Sequence, residues 1–222
     1  MIAEALRVRR GRFTLRLERF AADASGTAVL GPNGSGKTTL LLALQGLLRA
    51  EGTLVRPNES AAVFARPAVL RGSALWNLVV IAAEVLRLDR AAASMRARRI
   101  LDAVGLHDAA QTDARSLSTG QRARLALGRA LVVEPKALFL DEPFANVDAD
   151  GRPALRALVR DYVERSGCAL VIATSTLADA LTLCAKASVL RGGRLVHEGP
   201  TRELTAAHDP YVRALVAEGA SL

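Results

Sequence analysis

The stretch Gly31 to Thr39, GPNGSGKTT, constrains this chain more than any other. It fits G-x-x-x-x-G-K-S/T, with Gly31, Gly36, Lys37 and Thr38 at the fixed positions, and it directly follows the apolar run Thr27 to Leu30. That context predicts a strand ending at Leu30, a glycine-rich turn, and a helix starting near Lys37. The turn gathers backbone N–H groups around one point, and the helix aims the positive end of its dipole there. Such a concavity binds phosphate, which makes Gly31, Pro32, Asn33, Gly34, Ser35, Gly36, Lys37, Thr38 and Thr39 candidate contacts. Lys37 would bring a mobile positive charge to β- and γ-phosphates, and the Thr38 hydroxyl is placed to ligate an accompanying Mg²⁺. A plain glycine-rich link between strand and helix explains the glycines but neither the lysine nor the hydroxyl.

At 222 residues, half of them hydrophobic, the chain can bury one sizeable α/β core but hardly two independent ones. No apolar run reaches the roughly 18 to 20 residues that span a bilayer, and the start, MIAEALRVRR, lacks the apolar core of a signal peptide. A cytosolic protein is expected. Cys168 and Cys184 have neither metal-ligand nor redox-pair spacing and read as small buried hydrophobes. The net charge of +8 fits a solvated, Arg-rich surface better than a nucleic-acid site, because the arginines are spread along the chain with few aromatic side chains between them. Anionic lipid headgroups suit the same charge.

Taken in order, Leu6–Val8 and Phe13–Leu17 read as antiparallel strands joined around Gly11. Phe13, Leu15 and Leu17 share one face, so Phe13 is either core or an adenine-stacking ring. Leucines at 40, 41, 44, 47 and 48 predict a helix over Thr38–Arg49. Glu51–Val55 and Ala61–Phe64 read as short strands, and Val69–Arg99 as mostly helical, with a further helix ending over Leu101–Gly105. Ser118 and Thr119 are natural caps for a helix running to Val133. Ala137–Leu140 and Ala169–Ala173 are buried strands, and Ser188–Leu190 and Leu195–His197 flank a turn at Gly192-Gly193. The tail from Pro200 to Leu222 is expected to be helical. Alternating strands and helices predict an α/β fold: a mostly parallel nucleotide-binding sheet with antiparallel edge strands and an inserted α-helical subdomain.

The first buried strand ends in Asp141-Glu142. Asp141 would hold Mg²⁺ opposite Thr38, and Glu142 would orient or deprotonate an attacking water. Together with LSTGQ at Leu117–Gln121, these residues make the sequence resemble the ATP-binding-cassette (ABC) ATPases over nearly its whole length. The resemblance implies a single domain, 1–222, with a catalytic lobe near 1–66 and 130–222 and a helical subdomain near 67–129. It implies ATP and Mg²⁺ as cofactors and a head-to-tail pair of cassettes, most simply a homodimer. Ser118, Gly120 and Gln121 of one cassette would then contact the γ-phosphate side of its partner's ATP, and Asp148 would be the acid of the loop crossing that interface.

Thr119 stands where the family usually has Gly. Ala65 replaces the usual glutamine that links metal and water to the helical subdomain, and Ser175 replaces the usual histidine at the γ-phosphate; His107, His197 and His208 lie elsewhere in the pattern. Either hydrolysis is slow or weakly coupled, or the lineage tolerates these substitutions in an ordinary cassette. Pro67–Leu78 matches the surface where family importers receive their membrane subunit, and Trp76 is either an anchor there or a core residue. A transport role implies transmembrane permease subunits, a place on the inner face of the cell membrane and, for an importer, an extracytoplasmic solute-binding protein. The compact Leu48–Phe64 segment and short tail are similar to cassettes for small anions such as tungstate or molybdate. Rival readings are a soluble ABC ATPase acting on nucleic acid or ribosomes, and a nucleotide-binding regulatory subunit with little hydrolysis. Against the first, the chain has neither a long coiled-coil insertion nor a second cassette, so no nucleic-acid partner is expected.

Overall fold

The computed structural model describes residues 1–207 and 209–219. The chain divides into two compact units: Met1–Ser60, Lys136–Glu142 and Tyr162–Leu222 form the first, Ala61–Pro135 and Pro143–Asp161 the second.

The first unit is built on one sheet. Strands β1 (Ile2–Arg10) and β2 (Phe13–Ala21) form a hairpin that turns at Gly11, where φ is +59°. Their antiparallel register pairs Leu6 with Leu17 and Val8 with Leu15, so the alternating leucines and valine fall on one buried face. Strand β3 (Thr27–Leu30) leads into the phosphate loop, and β4 (Glu51–Val55) pairs antiparallel with the free edge of β1. After β5 (Ser60–Val63), which starts at the boundary of the units, the sheet is completed by β6 (Ala137–Asp141), β7 (Ala169–Ala173), β8 (Lys186–Arg191) and β9 (Arg194–Pro200). Within the unit the strands run β4-β1-β2-β9-β8-β3-β7-β6. The stretch β8-β3-β7-β6 is parallel, and every residue of β3, β6 and β7 is buried. Strands covered on both faces need no polar alternation, which is why TAVL, ALFLD and ALVIA read as continuous apolar runs. The sheet is mixed, its antiparallel part comprising β4, β1 and β2 together with the β8–β9 hairpin.

Helix α1 (Lys37–Leu44) is shorter than its leucine pattern predicts. Gly46 takes φ +76° after the last turn, and Leu47, in the expected apolar stripe, is 61% exposed. Left-handed backbone at a glycine ends a helix whatever apolar residues follow. The tail is a 3-10 helix (Thr201–Ala206) followed by a helix at Pro210–Gly219, so its helical character is split; His208 lies outside the described residues. Among the described residues no helix is long and apolar enough to cross a membrane.

The second unit holds helices α2 (Ala74–Leu86), α3 (Arg90–Ala103) and α4 (Thr119–Leu131). The stretch Val69–Arg99, expected to be mostly helical, holds α2 and most of α3. Arg87 turns the chain at φ +54° and Asp89 caps the new helix by accepting from the Ala92 N–H at 2.8 Å. The segment expected to close a separate helix, Leu101–Gly105, is the end of α3. Gly128 lets α4 approach its neighbours: a Cβ there would lie 3.3 Å from Ile100 and 3.5 Å from Leu78. Helix α5 (Arg152–Ser166), with Leu155, Val159 and Val163 buried at four-residue spacing, and α6 (Leu177–Leu183) complete the described helices.

Candidate nucleotide site

The phosphate loop owes its shape to two glycines. Gly31 has φ +147°, and a side chain there would run into the Leu190 carbonyl and lie 2.7 Å from Ser35 Oγ. Gly36, the α1 cap, has φ +113°, and a Cβ there would meet the Phe13 ring at 2.9 Å. These backbone conformations are open to glycine and strained for other residues. Lys37 folds back over the loop: its Nζ donates to Gly31 O at 2.7 Å and Pro32 O at 3.4 Å. With 7% exposure this ammonium is poorly solvated, and burial lowers its pKa, opposed by the charges of Glu142 and Asp141. Ser35 Oγ is buried with no partner among the described residues.

Strand β6 delivers the two carboxylates. Asp141, 4% exposed, accepts a hydrogen bond from Thr38 Oγ1 at 2.7 Å, so the predicted pair of metal-ligating oxygens converges across 103 residues of chain. Glu142 follows in left-handed backbone, φ +48°, pinned by its N–H to Ala173 O at 2.8 Å. Its carboxylate lies 4.0 Å from Lys37 Nζ and accepts from Ser175 Oγ at 3.2 Å. Burial raises the Glu142 pKa, against the lowering effect of the Ser175 donors and Lys37. The residue that stands in place of a histidine therefore touches the candidate base. Sequence reasoning missed that contact, and the only signal for it is Ser175's place just past a buried strand. Neighbouring Thr174, fully buried, fixes this loop by donating to Asp179 at 2.9 Å and accepting from the Thr176 N–H at 3.0 Å. Phe13 is half-buried with its ring edge against Gly36, while Leu15 and Leu17 go to the core.

The remaining predicted residues lie in the second unit. Ser118 caps α4, accepting from the Gln121 N–H at 3.1 Å while Gln121 Oε1 accepts from the Ser118 N–H at 2.9 Å. Thr119 is the first residue of the helix instead of a second cap. A Cβ at Gly120 would lie 3.0 Å from Asn146 O, so the LSTGQ segment Leu117–Gln121, the signature of the family, and the Asn146–Asp148 loop are packed together. Asp148 accepts from Arg124 at 3.0 Å and from the Gly151 N–H at 2.6 Å. Ala65 is exposed and Trp76 is 46% exposed, which removes the core reading of the tryptophan. Beside it, buried Asn77 clamps the preceding loop, accepting from the Leu70 N–H at 2.9 Å and donating to Leu70 O and Ser73 O. His107 pairs with Asp102 at the surface and His197 lies in β9.

A glycine cradle at a helix N-terminus, a buried lysine, and a hydroxyl and carboxylate converging from α1 and β6 define a phosphate-loop nucleotide-binding protein. The chain belongs to the ABC transporter ATP-binding family, whose model matches residues 22–145. It is 40% identical over 190 residues to an aliphatic sulfonates import ATP-binding protein of Frankia alni, covering 85% of this chain and 75% of the relative. It is 34% identical over 202 residues to the molybdenum import ATP-binding protein of Mycobacterium tuberculosis, covering 81% of this chain and 55% of that one. The solved structure of an ATP-binding subunit of an ABC transporter superposes with a TM-score of 0.83 at 20% identity over 98% of both chains, a likeness of fold.

Proposed function

We propose that the chain binds and hydrolyses ATP to drive a multi-subunit ABC importer. The observation that carries this reading is the convergence of the Thr38 hydroxyl and the Asp141 carboxylate beside a loop whose glycines hold left-handed backbone. Thr38 and Asp141 would hold Mg²⁺, which would supply charge neutralisation to bound phosphate. Lys37, already stripped of much of its hydration, would exchange the Gly31 carbonyl for phosphate oxygens. Glu142, held by its own backbone bond and by Ser175, would accept the proton of the attacking water. The remaining phosphate contacts are Pro32, Asn33, Gly34, Ser35 and Thr39 of the loop.

The γ-phosphate side of each site would be completed by Ser118, Gly120 and Gln121 of a second copy, with Asp148 in the crossing loop. Permease subunits would hold the pair at the inner face of the membrane, and the exposed Trp76 would lie on that contact surface. The sulfonate and molybdenum relatives support a small oxyanion as cargo, delivered by an extracytoplasmic binding protein. Affinity purification of the tagged chain from solubilised host membranes tests this: a multi-span permease is expected at stoichiometric yield, and ribosomal proteins or nucleic acid in its place would sink the importer reading. Retention of Glu142 disfavours a purely regulatory subunit, and tight ATP binding without turnover beside the permease would revive one.

A further inference from the structure

The sheet parts between β2 and β9. These parallel neighbours share a single registered pair, Arg16 with Arg194, and beyond it a groove of about 900 Å³ opens between them. At the mouth of that groove three arginines stand side by side on three strands, because Arg16 also pairs directly with Arg7 of β1. Residues directly opposite one another share a face of the sheet. Leu15 and Leu17, which flank Arg16, point to the opposite, buried face, and Leu15 lies toward Gly36 of the phosphate loop. The arginine row is thus on the other side of the sheet from the nucleotide.

Like charges directly opposite in a sheet repel and destabilise the pairing. Among the described residues one acid pairs with the row: Glu51 of β4 lies 3.6 Å from Arg7. Among the described residues it leaves Arg7 Nε buried with no partner, and neither the Arg16 nor the Arg194 guanidinium has an ion pair. The groove's own carboxylates, Glu18 and Glu198, come two and four residues further along β2 and β9 than Arg16 and Arg194, roughly 7 and 13 Å at the rise of a strand. The groove is therefore cationic at the arginine end, with a planar, multidentate donor set suited to phosphate-type oxygens.

We propose that this groove binds a multiply charged oxyanion of the phosphate class, gripped by Arg7, Arg16 and Arg194, at a site separate from the nucleotide. The anion offsets the repulsion along the row and supplies the acceptor that Arg7 Nε lacks. Its source is either a free oxyanion or the phosphate of an anionic lipid headgroup.

The probe is inorganic pyrophosphate, measured by equilibrium dialysis on the full chain and on the double variant Arg16→Gln/Arg194→Gln. Both side chains are exposed, so the variant should fold, and without anion its melting temperature should equal or exceed that of the natural chain because the repulsion is relieved. Two sites are expected on the natural chain, one in the phosphate loop and one in the groove. The variant should keep the first, with ATP-analogue binding unchanged, and bind at the second at least about tenfold more weakly. Equal stoichiometry and affinity in the two proteins, or a single site on the natural chain, would overturn the proposal. Flotation separates the sources: arginine-dependent capture by phosphatidylcholine vesicles containing phosphatidylglycerol, but not by phosphatidylcholine alone, assigns a headgroup, whereas pyrophosphate binding without capture assigns a free anion.

Discussion

The phosphate loop and the signature segment both end at the N-terminus of a helix and both are proposed to meet a nucleotide, yet they are built in opposite ways. At the loop, polar groups are buried: Lys37 is 7% and Asp141 4% exposed, Ser35 Oγ has no partner among the described residues, and Gly31, Gly36 and Glu142 all sit in left-handed backbone. At the signature, Ser118 and Gln121 satisfy each other in a capping box that an ordinary surface helix would use. The loop holds its strain because neighbouring strands fix it, and its candidate site lies within one chain. The signature is complete as a helix end and, on the proposed reading, would become a site only when another chain brings a phosphate to it.

Changes at the loop should therefore hurt one chain alone, and changes at the signature should be felt only in the pair. The largest effect is expected from Glu142→Gln: turnover should fall by about 10² to 10⁴ with ATP affinity retained, checked by steady-state hydrolysis and nucleotide binding. Turnover equal to that of the natural chain would remove Glu142 from the chemistry. Lys37→Ala should weaken ATP binding to the isolated chain by roughly 10² or more, read by calorimetry, since a charge-assisted contact to phosphate is lost. Gly31→Ala should destabilise the fold by about 3 kcal/mol in denaturant titration, because strained backbone and a clash with the Leu190 carbonyl act together. Ser118→Ala should cost about 1 kcal/mol as a lost cap and leave ATP binding to the single chain intact, while cooperative hydrolysis drops. Weakened binding in the single chain would mean that the signature acts within one chain, as the loop does.

The smallest effect lies just upstream of β3, at an exposed pair. Lys186 and Ser25 donate to Asp23 and hold its pKa at about 2, below the ordinary 3.8. A lowered carboxylate stabilises the fold above the unfolded pKa and loses that contribution as pH falls through the folded one. The melting-temperature gap between the natural chain and Asp23→Asn should therefore be full above about pH 4 and close toward pH 2; a gap independent of pH would exclude the pair as its source.

The motifs were legible because each depends on local backbone geometry: glycines where left-handed turns are needed, a hydroxyl at a helix cap, apolar runs where strands are covered on both faces. Helix ends were less legible. The leucines at 47 and 48 continue the α1 pattern, but conformation at Gly46, not hydrophobicity, decides where the helix stops. The α2–α3 break at Arg87 was hidden in a stretch of uniformly high helix propensity.

By itself the sequence determined the phosphate loop, the Asp141-Glu142 strand end, the Ser118 cap and the family, since each is written in contiguous residues. Only the tertiary structure decided that Ser175 reaches Glu142, that Trp76 faces outward, and that Arg7, Arg16 and Arg194 form one row. Those relations join residues far apart in the chain through strand register and loop course, and no local pattern carries that information.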